Sequence, residues 1–168
     1  TIFSKITTTP YGMVGAGWVE LNKNNAAGAK TLFDNALKAS KNKDAQIIRF
    51  IGEAYTNSTG VKDYAQAIEK LKQANSMLKN NAALCIALGE AYIAAQDGGN
   101  AVVQFEYAAQ YDPNGSTPPT KIGSVYYLSR NYPLAKDYLN KAITADAKNP
   151  IPYSCLLYTS DAADDTPC

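Results

Sequence analysis

The chain has 168 residues, room for one ordinary domain or a short run of repeats and enough to bury a core without disulfide or metal staples. Sixteen Lys and Arg against fifteen Asp and Glu give a formal charge of +1, so no broad field attracts nucleic acid or an anionic membrane. No His occurs, which removes His-dependent triads, His general bases and His-bearing metal sites, while 26 Ala, 14 Asn and 12 Tyr suit small-residue helix packing.

Residues 1–10 show no period and are expected to form an irregular N-terminal segment. Tyr11 to Val19 is a nine-residue apolar run whose helical period continues into Glu20 and Leu21. With no small-x-small cleavage pattern beside it, it reads as a helix rather than as the core of a secretion signal. Gly12, Gly15 and Gly17 follow no strand and depart from the spacing of a phosphate-cradling fingerprint, which leaves close helix packing as their use. Helices are expected near 11–23, 26–40, 44–57, 63–78, 82–96, 100–111, 118–130 and 133–146, with a ninth starting near Pro150. Asp63 and Asn100 suit N-caps, Pro133 suits a first helical turn, and Asp112-Pro113-Asn114-Gly115 is a helix stop followed by a turn. No run of 18 apolar residues occurs, so no transmembrane helix is expected.

Self-similarity organises these helices into pairs. Ile51-Gly52-Glu53-Ala54-Tyr55, Leu88-Gly89-Glu90-Ala91-Tyr92 and Ile122-Gly123-Ser124-Val125-Tyr126 place their glycines 37 and 34 residues apart. A second set follows each, Ala67/Leu71/Ala74, Ala101/Phe105/Ala108 and Ala135/Leu139/Ala142, spaced by 34 in both steps. The three extra residues of the first gap fall between Tyr55 and Ala67, in the turn-like stretch Asn57-Ser58-Thr59-Gly60, and Ala29/Phe33/Ala36 marks an earlier copy 38 residues before Ala67. Antiparallel helices approach closely only where one partner is small, so Gly52, Gly89 and Gly123 are expected at those contacts, with Tyr55, Tyr92, Tyr126 and Phe105 filling the spaces between pairs. No pair can bury its face alone, and stacking gives an all-α solenoid of antiparallel helix pairs with a concave surface.

On these residues the chain resembles the tetratricopeptide repeat family. The third copy reads Leu88-Gly89-x2-Tyr92, then Ala101-x3-Phe105-x2-Ala108, then Pro113, matching the 34-residue family signature except at the opening aromatic, where Cys85 stands. The fourth copy has Pro119 at that position and Ala147 in place of the closing Pro, the second has Ile48 and Lys79, and the first has Glu20 where Tyr is expected after Gly17. The resemblance implies about four repeats over 11–153, near 11–43, 44–81, 82–115 and 116–149.

From Cys155 to Asp165 the chain shows no helical or strand period, and Cys155-Leu156-Leu157-Tyr158-Thr159-Ser160-Asp161-Ala162-Ala163-Asp164 resembles the conceptual translation of a transposase mosaic-end sequencing adapter. Residues 154–168 are therefore expected to be a non-native tail, with the native protein continuing past Ser154 and its true start lying before Thr1. Without residues 155–168 the formal charge is +4, and Cys85 is the one remaining cysteine, so neither a disulfide nor a metal site is implied.

Motifs with catalytic shape find a plainer use. Ser40-x2-Lys43 has the spacing of an acylating Ser with a Lys base, but sits at a helix end without its companion motifs. Asp112-x-Asn114-x-Ser116 starts like a calcium loop and lacks its Gly and closing Glu. Asn57-Ser58-Thr59 fits a glycosylation sequon, which arises easily by chance in an Asn-rich chain. No catalytic residue, cofactor site or metal site is assigned.

The candidate site is the face of the first helices that does not pack. Residues three before, one after and four after each glycine point away from the packing face: Arg49, Glu53 and Thr56; Ile86, Glu90 and Ile93; Thr120, Ser124 and Tyr127. In the family that the chain resembles, this face lines a groove for an extended peptide or partner helix, which implies a non-catalytic interaction scaffold with a protein or peptide partner and no nucleic acid. One family subtype clamps a terminal carboxylate with Lys, Arg and Asn here, whereas this chain offers only Arg49 opposed by Glu53 and Glu90. Two other readings remain open: a regulatory segment of a larger enzyme or signalling protein, and a cell-envelope module binding glycan or assembling outer-membrane proteins.

Overall fold

The computed structural model describes residues 8–164, with side chains as far as residue 157. The helices begin where a short polar side chain can take up an otherwise unpaired backbone N–H. Thr9 caps α1 (Pro10–Asn22), Asn25 caps α2 (Ala26–Ala39), Asp44 caps α3 (Ala45–Asn57) and Asp63 caps α4 (Tyr64–Met77). Asn81 caps α5 (Ala82–Ala94), Asp97 caps α6 (Gly98–Tyr111) and Asn131 caps α8 (Tyr132–Ala145), where Pro133 lies in the first turn as expected. Between the last two, α7 (Thr117–Leu128) starts after Ser116 with Pro118 and Pro119 in its first turn and no side-chain cap. The last helix, α9, spans Pro150–Asp164. Among the described residues there is no strand, and no helix is long and apolar enough to cross a membrane.

Three expectations need correction. The cap of α6 is Asp97 rather than Asn100: Asp97 Oδ1 accepts from the Asn100 backbone N–H at 3.1 Å and Oδ2 from its side-chain amide at 2.7 Å, so the helix starts two residues earlier than expected. The irregular N-terminal segment ends at Thr9, because Pro10 already occupies the first turn of α1; residues 1–7 lie outside the described residues. The stretch from Cys155, in which no period is expected, continues α9 to Asp164, since Leu156, Leu157, Ala162 and Ala163 are all good helix formers.

Reversal within a pair is achieved in two ways. In three of them a single residue adopts the left-handed conformation, Asn24 at φ 63°, Gln96 at 63° and Arg130 at 60°, and the next residue both closes the helix just finished and caps the one that follows. Thus Asn25 donates its backbone N–H to the Glu20 carbonyl, Asp97 to Tyr92 and Asn131 to Tyr126. The second pair instead uses the longer loop 58–63. That loop is tied to the end of α1: Ser58 Oγ donates to Asn22 Oδ1 at 3.0 Å, the Thr59 N–H donates to the same oxygen at 2.9 Å, and the Val61 N–H donates to the Leu21 carbonyl at 3.0 Å.

Contacts within each pair are symmetric about its turn, as antiparallel helices require. A Cβ on Gly89 would fall against the ring of Phe105, one on Gly17 against Phe33, one on Gly52 against Leu71 and one on Gly123 against Leu139. Pairs then join through their second helices, α4 to α5, α6 to α7 and α8 to α9, while α1 touches α3 and α3 touches α5. The core is continuous across these joins: Ile47, Ile51 and Ala54 of α3 pack back onto Val14, Leu21, Ala29 and Phe33, whereas Ile48 packs forward with Leu71, Leu84 and Leu88. The architecture is an all-α helical solenoid.

Candidate functional site: the face of the first helices

Because α1 touches α3 and α3 touches α5, the first helices of the pairs lie on the inner side of the stack and the second helices on the outer side. Gly17, Gly52, Gly89 and Gly123 mark the side of each first helix that packs against its partner.

On α3, Arg49 Nε lies 2.7 Å from Glu53 Oε1 with both side chains about three-quarters covered, and the guanidinium sits 5.8 Å from the centre of the Phe50 ring. On α5, Ile86 and Ile93 are half-buried against the core. Between them Glu90 Oε1 meets Lys121 Nζ of α7 at 2.8 Å, so this ion pair ties neighbouring first helices together. Tyr127 is half-buried with its ring 5.9 Å from that of Tyr132. Ser124 donates its hydroxyl to the Thr120 carbonyl at 3.0 Å. Thr56 and Thr120 are buried, and their hydroxyls donate to the carbonyls of Gly52 and Ser116 one turn back, leaving little for a ligand to reach.

The structure therefore brings Arg49 to Glu53, and Glu90 to a residue absent from the sequence reading, Lys121. Lys121 stands two places before Gly123, outside the positions considered, and its partner lies in the preceding pair, so helical spacing alone offers no signal for it. The charges on this face are consequently spent on one another, and what remains open is mainly apolar. Where α5 and α7 end, Ile93, Val125 and Leu128 line a notch of about 310 Å³ together with Gln96, Gly98 and Ser129. Leu128 is 73% exposed there.

Other motifs are absorbed by the fold. Ser40 donates its hydroxyl to the Leu37 carbonyl at 3.0 Å as part of a helix end, Asp112 follows α6 and accepts the Gly115 N–H through its own carbonyl, and Ser58 is buried under the loop that it anchors. Cys85, at the opening position of the third copy, is fully buried beside Asn75, and burial pushes its thiol above its ordinary pKa.

No family model matches the sequence, and no curated protein matches it. Solved structures of similar shape do exist. The TPR domain of Sgt2 from Aspergillus fumigatus is 22% identical, over 72% of this chain and 80% of that one, with a TM-score of 0.65. A thermophilic TPR protein of Thermus thermophilus is 19% identical over 92% and 83%, with a TM-score of 0.62. The first TPR of Spaghetti (RPAP3), bound to the HSP90 peptide SRMEEVD, is 16% identical over 72% and 94%, with a TM-score of 0.64. The chain thus has the fold of a tetratricopeptide-repeat solenoid.

Proposed function

We propose that this chain is a non-catalytic scaffold that holds a peptide or a partner helix along the inner face of its first helices. The observation that carries this reading is the composition of that face: Ile86, Ile93 and Tyr127 offer partly exposed apolar contact, while Arg49 with Glu53 and Lys121 with Glu90 are already neutralised. A ligand here gains by burying apolar side chains, with the two ion pairs setting its register rather than attracting bulk charge. The Spaghetti structure, which holds a peptide on the same fold, adds support from similarity of shape. Its peptide is acidic, whereas this face has no unpaired cation among Arg49 and Lys121, so a mixed polar and apolar segment suits it better.

The test is selection of peptides from a displayed library on the full chain, followed by binding measurements on the triple variant Arg49→Glu, Ile86→Ser, Tyr127→Ala. Selected peptides should bind the variant at least about tenfold more weakly, or about 1.4 kcal/mol, with helical circular dichroism retained. Undiminished binding to the triple variant would overturn the assignment.

A further inference from the structure

The repeats set up the same junction three times, and only one of the three is left open. Phe33, Leu71 and Phe105 are equivalent core positions of successive second helices, so Asp34, Lys72 and Glu106, each one residue on, stand at equivalent outer positions. Asp34 lies near Tyr55 and the cap Asp63, Lys72 near Tyr92 and the cap Asp97, and Glu106 connects to Tyr126 through Tyr138. At the second junction Lys72 reaches over the Tyr92 ring, its Nζ 5.6 Å from the ring centre, and its charge adds to the Asn100 hydrogen bonds that hold the Asp97 carboxyl below its ordinary pKa. At the third, Tyr138 stacks on Tyr126 with centroids 5.6 Å apart, donates its hydroxyl to Glu106 at 3.4 Å, and is itself covered by Lys141.

At the first junction Asp34 stands where Lys72 stands at the second, and among the described residues no lysine or arginine lies over the Tyr55 ring. Beside the loop 58–63 lies a cavity of about 370 Å³, where the half-buried Leu37 and Val61 offer apolar surface and Lys30, Asp34, Asp63 and Lys70 also line the wall. Tyr55 lines it with its ring edge-on to Phe33, and among the described residues its hydroxyl has no hydrogen-bond partner. Two lysines line it, each already paired: the exposed Lys30 with Asp34 at 2.9 Å, and Lys70, whose side chain is mostly covered, with Glu69 at 3.3 Å. Among the described residues Asp63 has no cationic partner, and its carboxylate serves as the helix cap that accepts the Gln66 N–H at 3.0 Å.

The geometry points to a binding site for a small primary amine in this cavity, the ligand's ammonium taking beside Tyr55 and Asp63 the place that Lys72 takes beside Tyr92 and Asp97. The alkyl part lies on Leu37 and Val61, and the Tyr55 ring and the Asp63 carboxylate receive the charge. This cavity lies between α2, α3 and α4 and includes none of the inner-face residues proposed for peptides.

The test follows backbone amide signals of the full chain during titration with n-butylammonium, with n-butanol and butyrate as controls. Saturable shifts at Tyr55 and over Val61 to Gln66, with millimolar affinity fitting so small a ligand, are expected for the ammonium alone. Asp63→Asn keeps an equally good helix cap while removing the charge, and should weaken binding about tenfold. Asp34→Lys installs at the first junction the lysine of the second, frees Lys30 from its partner, and should abolish binding through both the added side chain and the added positive charge. Equal shifts with n-butanol, equal shifts around Tyr92, no saturable shift, or binding unchanged in both variants would each overturn the assignment.

Discussion

A Cβ placed on Gly89 would lie 2.5 Å from Cε1 of Phe105, so the ring occupies the space that any other residue at 89 would need. Phe105 is fully buried, and this contact sets how closely α5 and α6 approach. Gly89→Leu should therefore destabilise by about 1–3 kcal/mol through overpacking, and Phe105→Ala by about 3–5 kcal/mol through the cavity it leaves. Urea denaturation measures both, and a neutral result for either would show that the two helices are not in this register.

The loop 58–63 depends on one side chain of the preceding pair. Asn22→Ala removes the acceptor of the Ser58 hydroxyl and the Thr59 N–H, and Ser58 is 1% exposed. The loss should be about 1–3 kcal/mol, concentrated on the loop. Hydrogen exchange at the Val61 amide, bonded to the Leu21 carbonyl, should accelerate well before that of the α5 and α6 core amides; uniform acceleration would mean that the loop is not a separate unit.

Asp97 gives a prediction about acid. Its carboxylate accepts the side-chain amide and backbone N–H of Asn100, which lowers its pKa in the folded chain. A group whose folded pKa is lowered adds stability above its unfolded pKa and loses it as pH falls through the folded value. Asp97→Asn retains capping without titrating, so the urea midpoint of the variant should fall less steeply below about pH 4 than that of the parent. Parallel acid limbs would contradict the role given to this carboxylate.

We propose that the chain from Cys155 onward contributes little to the fold. Within α9, Pro152 is buried, Cys155 and Leu156 are half-buried, and Ser154 and Leu157 are exposed, Leu157 by 63%. Removing residues 155–168 should change the melting temperature by less than about 2 °C, and a loss beyond about 5 °C would show that α9 is needed in full.

What could be read from the residue pattern is the part governed by local periodicity. Gly52 finds Leu71 and Gly123 finds Leu139 because the small residue and its large partner repeat on matching helix faces, and the three-residue extension shifts Leu71 without disturbing that match. Contacts between distant segments leave no such mark. Asn22 holding Ser58 and Glu90 holding Lys121 each join residues from different pairs, at positions no helical period singles out. The cap of α6 falls to Asp97 because a carboxylate at a tight reversal can bond both N–H groups of Asn100, a geometry that residue preference alone does not reveal. Thr56 and Thr120 illustrate the limit of face assignment: their positions suit the inner face, yet each hydroxyl folds back onto its own helix.

The inner face is the central claim, and one measurement addresses it directly. A library-selected peptide carrying a terminal spin label, added to the full chain with isotopically labelled isoleucine methyls, should broaden the signals of Ile86 and Ile93 on α5. Ile68 on α4 and Ile143 on α8, which belong to second helices, should keep their intensity. Broadening of Ile68 and Ile143 with Ile86 and Ile93 untouched would place the ligand on the outer helices and contradict the account.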